Sequence, residues 1–341
     1  MNNFRFFYGS FAVTALGLLA GLWLGGPSGL LIVAVLSVLE VSLSFDNAVV
    51  NATVLKDMDA KWRHRFLTWG MVIAVFGMRI VFPVLIVAVA ADLGPLEAVR
   101  MAITDEEQYV RIITAAHHQI AAFGGAFLLM VFLKFFVDVN KEEHWLPLLE
   151  KPFMMLGRIT VVESALTLVA LLASASFFED SLLRLEFLTA GAWGLVAYIL
   201  ADGLGGLFGG EAGAGGTVVA KTGLAGFLYL ELLDASFSFD GVVGAFALTH
   251  NPVIIAIGLG IGAMFVRSMT IFLVEKGTLA KYRYLEHGAF WAIGVLAAVM
   301  LGGVHVHIPE VITGTLGAAF IGAAIWSSIR KSRLDVANGA A

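Results

Sequence analysis

Apolar residues run through this chain in long blocks, broken by short polar and glycine-rich segments. Blocks of about 20 such residues are long enough to cross the hydrocarbon core of a bilayer as helices. The pattern predicts ten membrane spans, at 4–24, 29–55, 66–91, 112–137, 153–177, 185–202, 218–248, 252–275, 286–304 and 309–328. The expected fold is an all-α polytopic membrane protein. The first block has only Arg5 ahead of it and lacks a clear small-residue cleavage site. It reads as a retained transmembrane helix rather than a signal peptide.

Composition agrees with the pattern. Of 341 residues, 59% are hydrophobic and 14% charged, against about 25% charged in soluble domains. Cysteine is absent, which excludes disulfides, thiolate metal sites and cysteine redox chemistry. The net charge of −5 matters less than where the cations fall. With the ten spans in place, sixteen Lys and Arg residues lie on one side and three on the other, while Arg79 and Arg267 remain within spans. Cationic loops stay in the cytoplasm, so both termini are expected there, in a bacterial inner membrane.

Against this apolar background one polar motif occurs twice. Glu40-Val-Ser-Leu-Ser44-Phe-Asp46-Asn47-Ala-Val recurs as Asp234-Ala-Ser-Phe-Ser238-Phe-Asp240-Gly241-Val-Val. An ionised carboxylate in hydrocarbon costs roughly 2.5–3.5 kcal/mol on insertion scales. A chain that carries that cost twice, in matching positions, uses its carboxylates. The copies lie in the second and seventh expected spans, so they run in opposite directions through the membrane. Arg79 and Arg267 each follow one span later, and His118 and His287 each open the span after that. Residues 29–137 and 218–304 therefore read as inverted repeats, an architecture that places a transport site near the midplane. Residues 1–28, 138–217 (ending in a glycine-rich linker) and 305–341 are additions around them.

The spacing says what such a site could hold. Glu40, Ser44 and Asn47 share one helical face, as do Asp234, Ser238 and Gly241, with Glu231 about one turn ahead. Two such faces give a wall of carboxylate, hydroxyl and amide oxygens, the ligands that magnesium, calcium and manganese prefer. The Ser-x-Ser and Asp-Asn/Gly segments are also places where a helix can unwind and add backbone carbonyls. The competing reading is structural: Asp46 and Asp240 could neutralise Arg79 and Arg267 as buried clamps, and the serines could be small packing residues. Glu163 is a proton carrier or a solvated acid near a span end; Asp202 is expected at the interface. His117, His118, His305 and His307 could bind a transition metal, but solvated histidines near span ends are the simpler account.

Other classes find no support. The glycine-rich linker lacks the Gly-Lys pair and preceding strand of a phosphate loop, and no hydrolase, zincin or kinase signature is present. Paired membrane aspartates could share a proton in a protease, but the Ser- and Asn-rich inverted repeat fits ion handling better. No enzyme activity, prosthetic group or nucleic-acid partner is expected.

The paired motifs resemble the two signature segments of TerC-type integral membrane proteins, of the wider superfamily that includes LysE exporters and manganese or calcium transporters. The resemblance covers about 29–137 and 218–304. It implies export of a divalent cation, Mn²⁺ first, with Glu40, Asp46 and Asn47 on the first motif and Asp234 and Asp240 on the second. Gly241 departs from the pattern, because the second copy lacks the amide of Asn47. The expectation is an exporter of Mn²⁺ or a similar cation, possible proton exchange included, in which Glu40, Asp46, Asp234 and Asp240 are ligands aided by Asn47, Ser44 and Ser238. Glu231 is a further ligand candidate, and Arg79 and Arg267 are charge partners. The alternatives are an exporter of amino acids or organic cations, and a membrane scaffold with structural acid–Arg clamps.

Overall fold

A computed structural model describes residues 3–70, 72–208, 223–303, 308 and 310–337, and every regular element among them is helical. A short 3₁₀ turn, Asn3–Phe7, leads into α1, Tyr8–Leu43. α1 is two legs. Gly26 takes φ 62°, a left-handed conformation that side chains disfavour, and Pro27 starts the second leg. The legs fold back on each other so closely that a Cβ on Gly29 would lie 2.4 Å from the Gly21 carbonyl oxygen. The first two expected spans are thus one helical hairpin. α1 stops at Leu43, and α2 resumes at Phe45–Leu55 after a break at Ser44.

A short α3, Ala60–Arg65, is capped by the Asp59 carboxylate, which accepts hydrogen bonds from the amides of Lys61 and Trp62. The third span then opens as a wide π-helix over Phe66–Gly70 and Ile73–Val81, before narrowing to α4, Phe82–Ala90. Insertions of this kind concentrate at functional sites. Two short helices, α5 (Pro95–Thr104) and α6 (Glu106–Ala115), lead to α7, His117–Phe136. The middle of the chain forms α8 (Pro147–Leu156), α9 (Val162–Ala175) and α10 (Ser181–Phe208). The second half forms α11 (Gly223–Ala245), α12 (Pro252–Glu275), the single turn α13 (Thr278–Lys281), α14 (Leu285–Gly302) and α15 (Glu310–Ala337).

Seven helices among the described residues are long and apolar enough to cross a membrane. Three of the ten expected spans fall outside that set, each for a physical reason. Span 29–55 is divided between the second leg of α1 and α2. Span 153–177 shortens to the 14 residues of α9. Span 218–248 is α11, which is 23 residues long but carries Glu231, Asp234 and Asp240. Burial separates centre from rim. The apolar windows of α7, α12 and α14 are 72%, 67% and 56% buried, whereas those of the α1 segment, α10 and α15 are 22% buried. The rim helices present leucine, valine and tryptophan outward (Trp23, Trp193 and Trp326 are all exposed), as lipid contact demands. At the centre α7 and α14 meet through Phe135 and Phe290, whose rings stack at 3.8 Å and 3°.

Both of those helices begin with a histidine held by an acid from the intervening segment. His118 Nε2 lies 3.0 Å from Glu186 of α10, and His287 Nε2 lies 3.7 Å from Glu150 of α8.

Candidate cation site between the two acidic motifs

The break at Ser44 brings motif one to face motif two. Ser44 leaves helical geometry (φ −103°, ψ 19°), which starts α2 at Phe45 with fresh amide donors. Asp46 uses one of them: its Oδ1 accepts from the Asn47 amide at 2.9 Å. Carboxylates are favoured at a helix N-terminus for this reason. Unwinding was expected in both copies, but α11 runs unbroken through Asp234–Gly241.

The motifs pair crosswise. Asn47 Nδ2 donates to Asp234 Oδ1 at 2.7 Å, joining the amide position of copy one to the acid position of copy two. The reciprocal pair is Glu40 and Gly241, where a Cβ on the glycine would lie 3.1 Å from Glu40 Oε2. Gly241 has no amide to offer, and Glu40 turns to Arg79 instead, which donates from Nη2 to Oε1 at 2.5 Å with both side chains 4% exposed. Ser44 Oγ donates to the same oxygen at 3.2 Å. Close backbone approach makes room: a Cβ on Gly262 would lie 2.3 Å from Glu40 Cγ. The acid held by Arg79 is therefore Glu40, not Asp46 as the clamp reading had it.

Both motifs leave buried oxygens short of partners, and the unpaired carboxylate oxygens are in the second. Asp234 Oδ2, both Glu231 oxygens, Asn47 Oδ1 and Asn51 Oδ1 are buried with no hydrogen-bond partner among the described residues. Gly70, in the π-helical stretch, lets the backbone approach Glu231; a Cβ there would lie 2.6 Å from Oε1. Buried oxygens without donors are costly, and α2 and α11 contribute these five, although among the described residues no group of three or more His, Asp or Glu side chains is placed to hold a metal ion. Asn51 was not singled out from the sequence, although it lies one turn beyond Asn47 on the same face. Ser238 Oγ is also buried and unpartnered; neither it nor Glu231 lines the two cavities at the site. Ser42 and Ser236 bond back to the carbonyls of Val38 and Leu232 and contribute nothing to the site.

Two cavities reach the motifs. One, about 310 Å³, runs from the start of α7 (His117) and the start of α15 (Thr313) to Glu40, Ser44 and Asp46. The other, about 40 Å³, lies among α2, α11, α12 and the π-helical stretch and is lined by Asn47, Asn51, Asp234, Arg79 and Arg267. Glu40 and Ser44 line both and form the partition between them. Arg267 makes no ion pair among the described residues; its Nε donates to the Leu67 carbonyl at 2.7 Å. The side chain of Asp240 lies outside those the structure describes, as do His305 and His307.

Known sequences match this chain, a family model and one relative over most of its length. A family model described as "Protein of unknown function (DUF475)" matches residues 45–335. The chain belongs to the DUF475 family. The match takes in Asp46, Asn47 and the whole of motif two, and Glu40 and Ser44 fall just ahead of it. "Uncharacterized membrane protein STKORF319" of Myxococcus xanthus is 24% identical over 297 residues, covering 86% of this chain and 72% of that protein. "Uncharacterized membrane protein YceF" of Bacillus subtilis (strain 168) is 34% identical over 83 residues, or 24% of this chain and 31% of that one. No solved structure matches.

Other residues singled out from the sequence lie elsewhere in the fold. Glu163 opens α9, 3.9 Å from Lys134, away from both cavities. His118 is engaged by Glu186 and by the Ala115 carbonyl, while His117 lines the larger cavity. A second polar cluster escaped sequence reading. Glu150, 1% exposed, accepts from the amides of Trp145 and Leu146 and lies 3.5–3.9 Å from His144, His287 and Lys141. Burial pushes the Lys141 ammonium down to about 8 despite the nearby Glu150 carboxylate. The only sequence signal was the match of His287 to His118, and nothing in it pointed to Glu150.

Proposed function

We propose that this protein exports a divalent cation, Mn²⁺ first, through the cradle between its two inverted acidic motifs. The observation that carries the reading is the group of buried, unpartnered oxygens on Asp234, Glu231, Asn47 and Asn51. Carboxylate and amide oxygens suit hard divalent ions, and Arg79 already satisfies Glu40, so the unmet negative charge lies in half two. The resemblance to TerC-type proteins supports the same class. Two cavities separated by Glu40 and Ser44 supply what alternating access requires, one path from each side. With the cationic loops in the cytoplasm of a bacterial cell, the larger cavity faces outward and this conformation is the releasing one. A carboxylate that loses its cation in a dry site takes up a proton rather than stay ionised, which makes proton exchange the natural counter-flow. No step in this scheme is enzymatic.

The test is cellular metal content by elemental mass spectrometry under manganese, calcium, zinc and cobalt loads, at matched membrane levels of protein. Wild type should lower one metal, and Asp234→Asn, Asp46→Asn and Asp240→Asn should abolish the effect. Equal metal content in all strains would leave the acids as structural clamps in a membrane scaffold.

One observation favours a second reading. The larger cavity, about 310 Å³ with Phe237, Leu296 and Met300 in its wall, exceeds what a bare ion needs. An organic amine entering it could place its ammonium against Glu40 and Asp46. Loss of metal efflux in the presence of an excess of amino acid or alkylamine would point to that substrate class.

A further inference from the structure

The two intramembrane arginines hold equivalent places in the inverted repeats but not equivalent partners. Arg79 is engaged through both terminal nitrogens, Nη2 on Glu40 and Nη1 on the Ala74 carbonyl, while its Nε is buried without a partner among the described residues. Arg267 rests on the Leu67 carbonyl, in the π-helical stretch of the opposite repeat, and lines the same small cavity as Asp234. Asp234 is the acid that corresponds to Glu40, and its Oδ2 is buried without a partner. Every part of a second arginine–acid lock is present, and the lock is unmade.

We propose that Arg267 is the lock of the opposite-facing state. In the present state, with the larger cavity open, Arg79 holds Glu40 and Arg267 waits on Leu67. In the other state Arg267 moves from the Leu67 carbonyl to Asp234, Arg79 releases Glu40, and the small cavity opens as the larger one closes. Inverted repeats exchange conformations in this manner when a transporter turns over. The inference rests on the export reading only in requiring two facing states.

The absence of cysteine allows a direct test. Single cysteines are introduced at Thr313 in the larger cavity and at Leu67 in the smaller, and maleimide labelling rates of the purified full-length protein are compared without added metal. Thr313→Cys should react faster than Leu67→Cys. Arg79→Gln should lower the ratio of the two rates by roughly fivefold, the low end of coupling between sites, and Arg267→Gln should raise it to a similar degree. Lysine at either position should restore part of the original ratio. Asp234→Asn removes the other half of the lock and should shift the ratio as Arg267→Gln does, which keeps the test decisive if an arginine variant fails to fold. A ratio that Arg267→Gln leaves unchanged, or moves in the same direction as Arg79→Gln, overturns the lock. Metal efflux with an unmoved ratio sinks the lock and leaves export standing. Opposite shifts in a protein that changes no cellular metal sink cation export and leave the lock in place for another solute.

Discussion

In motif one the helix breaks at Ser44 and Glu40 meets Arg79; in motif two the helix runs unbroken and Asp234 meets Asn47. The copies also differ at the position seven residues after each acid. Asn47 reaches across to Asp234, whereas its counterpart Gly241 offers Glu40 no side chain. Glu40 is neutralised by Arg79, and Asp234 is hydrogen-bonded but has no cationic partner among the described residues. One sequence pattern has produced a locked half and a receptive half.

Neutralising each acid separately should break this comparison most sharply. Glu40→Gln strands the buried Arg79 guanidinium and should cost about 3–5 kcal/mol, seen as a large fall in thermal unfolding temperature in detergent. Adding Arg79→Gln to it should recover much of that loss. Asp234→Asn removes a charge with no cationic partner and should leave stability unchanged or raised. Equal losses for Glu40→Gln and Asp234→Asn would show that the halves are not energetically distinct.

The crosswise bond comes next. Asn47→Ala leaves Asp234 Oδ1 without its donor and should cost about 1–3 kcal/mol. The mirror change is Gly241→Asn, which would give Glu40 the amide it lacks. The 3.1 Å approach at this glycine is to the end of a flexible side chain, so the substitution has room to adjust. In an Arg79→Gln background it should restore about 1 kcal/mol, one net hydrogen bond. No recovery would mean that the glycine does not set the asymmetry.

How far the sequence revealed this site depended on the kind of interaction. Apolar blocks and the repeated motif gave the helical membrane class and brought Glu40, Asp46, Asn47 and Asp234 into one region, because helical spacing fixes which side chains share a face. The turn at Gly26 was legible as the break between the expected spans 4–24 and 29–55, but not its tightness, which the left-handed conformation of this glycine sets. Nor was the choice of Arg79 for Glu40 over Asp46: both acids lie within reach of a neighbouring span, and the choice turns on where Ser44 interrupts the helix. Glu150 stayed hidden because its three partners come from Lys141, His144 and the distant His287, which no sequence period links.

That hidden cluster supplies the smallest test of the same asymmetry. Each of α7 and α14 has a histidine in its first turn, but among the described residues only the second shares its acid with a buried lysine. Lys141 titrates near 8 in the folded protein against 10.5 when exposed, because burial disfavours its charge. Between those values folding releases a proton, so stability from this group grows as pH rises through the window and is lost as pH falls through about 8. The cluster should therefore tighten from pH 8 to pH 9 by about 1 kcal/mol or less. Hydrogen exchange, corrected for intrinsic rates, should show it as slower opening of the Trp145 and Leu146 amides, which donate to Glu150. Segments around His118 and Glu186 should show no matching change, and Lys141→Met should abolish the pH dependence. Equal responses at both histidines would mean that the lysine does not distinguish the halves, and that the asymmetry of the molecule is confined to its two motifs.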